Sequence, residues 1–291
     1  MTTLIASLNR LIDSEEGSLN VSAFTKKQKQ ELEDFSRTTR LITIAKIGRS
    51  TQYQILNRES IVKYIDVRQP FLETQLDSTI PTRSRNIALD SDSKKGQSTH
   101  DSCYLLMKAW DDSVVWQDRT SIMHPAKQTE NFGLAALCIT SDQSWQTNTP
   151  IWFIENQALF DQNDWLPDEF EGCLIYYSGQ LPNVLLKWLA EQKRSPEIVL
   201  FPDYDGVGLS NYTRLLNSLH ADSVLQFYWM PDWEYKLEKF GNAEVWQKTR
   251  IQFENAIKQL ELVKGVNDKF EKLAQLSQFY GRTLEQEAIW L

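Results

Sequence analysis

Apolar residues in the second half of the chain follow an alternation of short strands and helices. Strand-forming runs bounded by turn residues predict four strands, at 151–155, 173–177, 197–201 and 224–229. Helical spacing between the strands predicts three helices. One ends near 160, and the other two span 182–192 and 208–219. Runs that are apolar throughout are typical of strands covered on both faces of a parallel sheet. The pattern therefore predicts an α/β fold with a parallel sheet and right-handed crossovers, extended by helices from 236 to 291.

The first 70 residues predict a separate module of helices and a β-hairpin. Helical periodicity or helix-start signals occur in four segments, 4–12, 21–24, 26–35 and 57–65. Two β-rich runs, 41–47 and 51–56, flank a turn at Gly48. Three helices followed by a two-stranded wing is the order of a winged-helix module. Such modules bind either DNA or a protein partner.

Residues 71–150 predict a connector followed by a mixed α+β region. Serine, threonine and aspartate are frequent there, and Pro81 and Gly96 interrupt the pattern. The run 83–89 is either a strand that presents arginines or an ordinary exposed edge. Also predicted are a helix near 104–110 and short strands at 114–116 and 134–139. The predicted domains are a winged-helix-like module (1–70), the connector region (71–150), the sheet domain (151–235) and a C-terminal helical extension (236–291).

Charge limits how the chain can bind nucleic acid. The net charge of -8 argues against a generally cationic nucleic-acid binder, but a local basic surface is compatible with it. Basic residues fall at the end of the third helix, on the predicted wing and in the connector. The candidates for phosphate contact are Arg37, Arg40, Lys46, Arg49, Arg83, Arg85, Lys94 and Lys95. The alternative is an interaction module whose basic face is merely solvated.

Composition favours a cytoplasmic protein. No apolar stretch approaches the roughly 18 residues that would predict a membrane span, and the N-terminus lacks the order of a signal peptide. The three cysteines are scattered and form no CxxC or Cys/His pattern, so a reduced compartment is expected and a zinc site is not.

Three carboxylates stand where predicted strands end. Glu155 closes the first apolar run, and Asp203 and Asp205 follow the third. In open α/β sheets, ligands bind beyond the carboxyl ends of the strands. Aspartates two apart on an extended segment point to the same side, and carboxylate oxygens are the ligands that Mg²⁺ prefers. The alternative is that both aspartates are ordinary turn and cap residues.

The sequences of these segments resemble those of a known protein family. A strand ending in Glu, a second ending in Ser-Gly and a third followed by Asp-x-Asp are similar to a Toprim domain. Within this family, the motifs are more similar to one branch, the Wadjet nuclease subunit (JetD) and the related MksG protein. Those proteins share a topoisomerase VI A-like architecture. The segments that carry the resemblance are Ile154-Glu155-Asn156, Tyr177-Ser178-Gly179, Asp203-Tyr204-Asp205-Gly206-Val207-Gly208 and Leu284-Glu285-Gln286-Glu287.

The resemblance implies a winged-helix region followed by a Toprim domain in a nuclease that cleaves plasmid DNA with an SMC-like ATPase and kleisin complex. It assigns Asp203 and Asp205 as ligands of Mg²⁺ or Mn²⁺. Glu155 would be the catalytic glutamate, and it would either bind a second metal or act as general base or acid. The site loops would be formed by Ser178, Gly179, Gly206 and Gly208. Glu285 and Glu287 would either add to the acidic site or belong to a helix that packs near it. Pro202 departs from the glycine that this branch usually has before the aspartate.

The expected activity is metal-dependent endonuclease cleavage of double-stranded DNA. Several alternatives stay open beside it. The first is a non-catalytic DNA- or partner-binding subunit with a degenerate Toprim fold. Hydrolysis by water is preferred to a tyrosine nucleophile, for which the candidates are Tyr53, Tyr64 and Tyr104. A phosphotransfer receiver domain would need a lysine at a later strand end, and 224–229 has none. A homodimer is among the expected assemblies.

Overall fold

The computed structural model describes residues 3–48, 50–68, 77, 79–90, 100–263, 265 and 267–291, and the chain divides into two compact units, 1–99 and 100–291. None of the helices in the described ranges is long and apolar enough to cross a membrane.

The first unit combines helices with a small antiparallel sheet. Its strands are ordered β1-β3-β2, so the hairpin β2–β3 is joined by β1 on the β3 side. The elements are α1 (Thr3–Ile12), β1 (Ser18–Asn20), a 3-10 turn (Val21–Ala23), α2 (Lys26–Thr39), β2 (Ile42–Ile47), β3 (Ser50–Ile55), α3 (Arg58–Arg68) and α4 (Thr82–Asp90). The predicted helices and hairpin of this segment are confirmed.

Local sequence explains the boundaries of α2. Thr25 and Gln28 form a capping box, in which each side chain bonds the other residue's backbone N–H. At the far end Arg40 has a left-handed backbone with φ of 56°, which lets its N–H close the helix onto Ser36. Leu32 and Phe35 of α2 pack with the fully buried Tyr53 of β3 in the core of this unit.

The segment 83–89 is helical, so the predicted strand is wrong. It lies within α4, which begins directly after Pro81. Residues two apart do not share a helix face, so Arg83 and Arg85 cannot present a joint arginine row as they would on a strand. Arg83 is exposed, whereas Arg85 is half-buried and donates to the Asp77 carbonyl at 3.2 Å.

The second unit is built on a six-stranded mixed sheet in the order β12-β11-β9-β10-β4-β7. The first four of these strands are parallel, as predicted. β4 and β7 add an antiparallel extension, which corrects the expectation of an all-parallel sheet. The strands are β4 (Ser102–Lys108), β5 (Trp116–Gln117), β6 (Ile122–Met123), β7 (Ala135–Thr140), β8 (Gln146–Thr147), β9 (Ile151–Ile154), β10 (Cys173–Tyr176), β11 (Glu197–Phe201) and β12 (Val224–Phe227).

Helices cover this sheet and extend it towards the C-terminus. They are α5 (Pro125–Phe132), α6 (Gln157–Asp161), α7 (Asn183–Glu191), α8 (Gly206–Ser218), α9 (Trp233–Phe240), α10 (Ala243–Leu262), α11 (Asp268–Tyr280) and a final 3-10 turn (Gln286–Trp290). The small strands β6, β5 and β8 form a separate three-stranded sheet in that order.

The predicted helix near 104–110 is wrong, because this segment is mostly β4. Its side chains alternate: Leu105 and Met107 are buried, whereas Tyr104 is exposed. This period of two fits a strand with one covered face. The predicted strand at 134–139 is confirmed as β7, which pairs with β4 and places both in the main sheet.

The helical prediction for 236–291 holds up to α11 and then fails. Thr283 pairs with Asn242 and Leu284 with Tyr204 in isolated antiparallel bridges. Leu284 is buried, so this terminal segment is anchored by both backbone pairing and apolar contact. The chain thereby returns to the segment that follows β11.

Candidate functional site

The topology brings the three predicted carboxylates to one edge of the sheet. β9 and β11 are neighbours and parallel, with Ile154 opposite Phe201 in the register. Glu155 follows the first of these residues, and Asp203 comes two positions after the second. The carboxyl ends of both strands therefore deliver these side chains to the same place. Electrostatic coupling confirms their closeness, since the charge of Glu155 raises the pKa of Asp203 and that of Asp205 raises the pKa of Glu155.

Asp205 is both a cap and a member of this acidic group. Its Oδ1 accepts hydrogen bonds from the backbone N–H groups of Val207 and Gly208, each at 2.9 Å, at the start of α8. Burial raises its pKa, these two bonds oppose the rise, and the charge of Glu285 adds to it. The sequence alternatives of cap residue and site residue are therefore combined in one side chain.

Asp203 is held by the C-terminal segment. Its Oδ1 accepts the backbone N–H of Gln286 at 2.8 Å. Burial and then the charge of Glu155 raise the pKa of Asp203 to about 8, although the Gln286 bond opposes this. Nearby negative charge and low solvation both disfavour the ionised form of this carboxyl. A bound cation would therefore stabilise the carboxylate strongly.

Glu155 is oriented by a half-buried tyrosine. The Tyr177 hydroxyl donates to Glu155 Oε2 at 3.1 Å. Burial and then the charge of Asp205 raise the pKa of Glu155 to about 7, against the effect of this bond. A carboxyl with a pKa near neutrality can hold or accept a proton at physiological pH, as general acid–base chemistry requires.

The predicted Ser-Gly turn follows Tyr177 and has an unusual backbone. Ser178 and Gly179 have positive φ values of 50° and 66°. Asn211 of α8 holds this turn: its Nδ2 donates to the Gly179 carbonyl at 2.8 Å, and its Oδ1 accepts the Leu181 N–H at 3.0 Å. The turn is thereby tied to the helix that Asp205 begins.

Gln286 is a site residue that the sequence analysis missed. Its buried side chain donates to the Phe201 carbonyl and accepts the Asn156 N–H at 2.8 Å, so it bridges the ends of β11 and β9. The only signal in the sequence was its position between the two glutamates of Leu284-Glu285-Gln286-Glu287.

The two terminal glutamates lie close to the acidic group but in different settings. Glu287 is half-buried and accepts a hydrogen bond from the Asn156 side chain. Its charge contributes to the raised pKa of both Glu155 and Asp203. Glu285 is exposed and accepts from Asn242 at 3.0 Å. Glu287 lies on the packed 3-10 segment and Glu285 directly precedes it, and the charges of both raise the pKa of neighbouring carboxyls.

Gly206 and Gly208 permit close packing around the site. A Cβ on Gly208 would lie 2.0 Å from the Asp203 carbonyl oxygen and 2.8 Å from Pro202 Cβ. A Cβ on Gly206 would lie 2.4 Å from the Thr249 carbonyl oxygen of α10. Pro202, the position at which the sequence departs from the family motif, therefore packs directly against Gly208 in the first turn of α8.

Gly208→Ala should displace the Asp203 loop and destabilise the protein by about 1–3 kcal/mol, the usual range for overpacking a tight site. Urea unfolding of the variant would measure this change. Gly48→Ala is the control, because the left-handed backbone of Gly48 strains an alanine without any atom within 4 Å of its Cβ. A Gly208→Ala protein as stable as wild type would contradict the packing argument.

The eight predicted phosphate-contacting residues all fall within the first unit, 1–99. Arg37 is exposed and lies 3.6 Å from Asp34, and Arg40 and Lys46 are also exposed. Three others, Arg49, Lys94 and Lys95, lie outside the described residues.

The three candidate tyrosines differ in accessibility. Tyr53 is fully buried, and burial raises its pKa to about 12, so its hydroxyl is not available as a nucleophile. Tyr64 packs against Phe35 and lies under the Arg68 guanidinium at 3.8 Å. Tyr104 is exposed on β4.

Carboxylate oxygens are suitable ligands for a divalent cation, although the described residues form no complete metal site from protein side chains alone. Within these ranges, no group of three or more His, Cys, Asp or Glu side chains is arranged to hold a metal ion. Mg²⁺ usually takes only one or two carboxylates and completes its shell with water and phosphate oxygens. Asp203 and Asp205 each use Oδ1 for backbone hydrogen bonds, which leaves Oδ2 of each for an ion.

Models of known protein families give no match to this chain, and curated protein sequences give no significant match.

Proposed function

We propose that this protein is a Mg²⁺- or Mn²⁺-dependent DNA endonuclease subunit with a Toprim-type site. The observation that carries the proposal is the meeting of Glu155, Asp203 and Asp205 at the carboxyl ends of two adjacent parallel strands. Their mutual repulsion in a partly buried place is the electrostatic situation that a divalent cation relieves. The same order of motifs along the chain is what gives the resemblance to Toprim nucleases.

The roles proposed for the carboxylates follow from their surroundings. Asp203 and Asp205 would hold the cation through their unbonded oxygens. A bound Mg²⁺ or Mn²⁺ supplies polarisation of a phosphoryl oxygen and stabilisation of the leaving oxygen. Glu155, with a pKa near 7 and an orienting bond from Tyr177, would accept a proton from the attacking water.

Hydrolysis is proposed rather than a covalent tyrosine intermediate. Burial of Tyr53 removes one of the three candidate nucleophiles, and Tyr64 lies in a packed aromatic and arginine contact. A covalent protein–DNA adduct that is lost with Tyr104→Phe would overturn this choice.

The first unit is proposed to be a winged-helix module that contacts double-stranded DNA. Its element order of helix, strand, short turn, helix and hairpin, with sheet order β1-β3-β2, supports this assignment. Arg37, Arg40 and Lys46 are exposed on this unit and are the proposed phosphate contacts there.

The proposed setting is an SMC-like anti-plasmid complex in the cytoplasm. The support is the resemblance of the four quoted segments to the Wadjet nuclease subunit. The net charge of -8 gives the chain no overall electrostatic attraction for DNA, so a DNA-holding ATPase and kleisin partner fits its charge.

Cleavage of supercoiled plasmid in Mn²⁺ tests the proposal. Glu155→Gln should lower the cleavage rate by at least about 100-fold, the lower end of the range for general acid–base catalysis. Glu261→Gln, which changes an exposed glutamate of α10, is the matched control and should cleave like wild type. Equal cleavage by wild type and Glu155→Gln would rule out the assigned role.

A non-catalytic DNA- or partner-binding subunit is the second candidate, and two observations favour it. Asp205 already caps α8, and the described residues include no three-ligand metal group. In that case the carboxylates would be structural, and Mn²⁺ would change neither cleavage nor the melting temperature of the protein.

A further inference from the structure

Arg214 is a cation that the fold positions without neutralising it. It lies on α8, half-buried, and its guanidinium donates to the Asn183 side-chain oxygen at 2.7 Å and to the Asn211 side-chain oxygen at 3.3 Å. Both partners are neutral amides, and no carboxylate of the described residues pairs with it. The side chain therefore keeps its full charge in a fixed orientation, with further N–H groups available to a ligand.

Hydrogen bonds connect this arginine to the acidic site. Asn211, which accepts from Arg214, also holds the turn at Gly179, two residues after Tyr177. Tyr177 in turn donates to Glu155. Arg214 is thus linked through Asn211 to the turn that follows Tyr177, the residue that orients the proposed general base.

Helix geometry gives the spacing between Arg214 and the carboxylates. Arg214 follows Asp205 by nine residues on α8, and a rise of about 1.5 Å per residue separates them by about 13 Å along the axis. A duplex strand advances roughly 3.4 Å along its axis per phosphate, so one strand spanning a few nucleotides is long enough to reach both positions. A strand that places one phosphate at the carboxylates can therefore place another near Arg214.

We propose that Arg214 binds a backbone phosphate of the DNA strand a few nucleotides away from the phosphate at Asp203 and Asp205. This inference rests on the proposed nuclease function. A planar guanidinium matches two phosphate oxygens, and its orientation by two amides lowers the entropy lost on binding. In an acidic protein, this contact also offsets the repulsion between the carboxylates and the incoming strand.

The other buried arginine of this unit shows the contrast. Arg194 is 1% exposed, and its guanidinium donates to the backbone carbonyls of Trp188, Gln143 and Trp145 while packing over the Trp188 ring. Its Nε and Nη1 groups therefore donate inside the protein. The Arg214–Asn183 bond, by comparison, is exposed to solvent.

DNA affinity measured across salt concentrations tests the phosphate site. The full chain carries Asp203→Asn to prevent cleavage, and binding to a short duplex is followed between about 50 and 200 mM salt. Adding Arg214→Gln should weaken binding about 5–10-fold and reduce the slope of log Kd against log salt by about 1, the loss expected for one phosphate contact. Lys193→Gln is the charge-matched control, because this exposed lysine precedes β11 at the opposite edge of the sheet.

Asn183→Asp gives a second variant that leaves Arg214 in place. A carboxylate at the 2.7 Å contact would neutralise the guanidinium, so the same loss of affinity and slope is expected. It also covers the case in which Arg214→Gln does not fold. Affinities and slopes equal to those of Lys193→Gln in both variants would overturn the phosphate site.

The outcome separates the two proposals. If wild type cleaves plasmid and Glu155→Gln does not, while Arg214→Gln binds DNA normally, only the phosphate site is wrong. If wild type neither binds nor cleaves DNA, the nuclease function falls and this inference falls with it.

Discussion

Asp203→Asn is expected to abolish DNA cleavage while making the metal-free protein more stable at pH 8. The asparagine keeps an oxygen that can accept the Gln286 N–H, but it removes a charge from the crowded carboxylates. Cleavage should fall by at least about 100-fold, as when a single group that stabilises the transition state is lost. Loss of activity with a gain in stability is a signature of a site residue, because a structural residue would lose both.

The gain in stability should depend on pH in a defined direction. The unfolded carboxyl of Asp203 titrates near 3.8 and the folded one near 8, so between these values the folded state holds a proton that the unfolded state has released. Raising the pH through this window therefore lowers the free energy of unfolding of the wild type. Glu155 acts in the same sense between 4.5 and about 7. If only half of this rise in the pKa of Glu155 is counted, it lowers the free energy of unfolding by about 2 kcal/mol, at about 1.4 kcal/mol per pKa unit.

Urea unfolding at pH 5, 6, 7 and 8 in a chelator would measure this dependence. The curves of wild type and Asp203→Asn should lie close together at pH 5 and separate towards pH 8, and Mg²⁺ should stabilise mainly the wild type. Asp168→Asn, at an exposed aspartate, is the control and should follow the wild type throughout. Parallel curves for wild type and Asp203→Asn would show that the carboxylates do not repel one another in the folded protein.

Gln286→Ala is expected to destabilise the protein by about 3 kcal/mol and to reduce cleavage as well. The alanine leaves the Phe201 carbonyl and the Asn156 N–H without their partner, and each such buried group costs about 1–3 kcal/mol. The same change releases the ends of β11 and β9, so the carboxylates that follow them lose their relative positions.

Urea unfolding and plasmid cleavage of Gln286→Ala, compared with Gln259→Ala on the exposed face of α10, would test this role. Both activity and stability should fall, in contrast to Asp203→Asn. A free energy of unfolding within about 0.5 kcal/mol of wild type, as for ordinary surface changes, would show that the hydrogen bonds of Gln286 do not stabilise the fold.

The parallel part of the sheet could be predicted because each of its strands has a strong local signal. β9 and β11 are continuous apolar runs with turn residues behind them, and the carboxylates mark their ends. β4 was mistaken for a helix because leucine and methionine favour helices locally, whereas the alternation that buries Leu105 and Met107 is short. Its place in the sheet depends on pairing with β7 and β10, and such non-local pairing has no mark in either segment.

The candidate site could be predicted only as far as its charged residues. Glu155, Asp203 and Asp205 stand out because carboxylates at strand ends are chemically distinctive. Gln286 and Asn211 do not stand out, because a neutral amide gains its role only from the carbonyl and N–H groups that the fold brings to it. The same holds for the pairing of Leu284 with Tyr204, which joins segments about 80 residues apart.

The bond between Gln286 and Asp203 spans 83 residues of sequence, and this has a consequence during synthesis. At a translation rate of about 5–20 residues per second, roughly 4–17 seconds separate the appearance of Asp203 from that of Gln286. Throughout that interval the aspartate loop lacks the backbone donor that fixes it. A nascent chain therefore carries the carboxylates without a completed site until Gln286 has been added and has folded back onto Asp203.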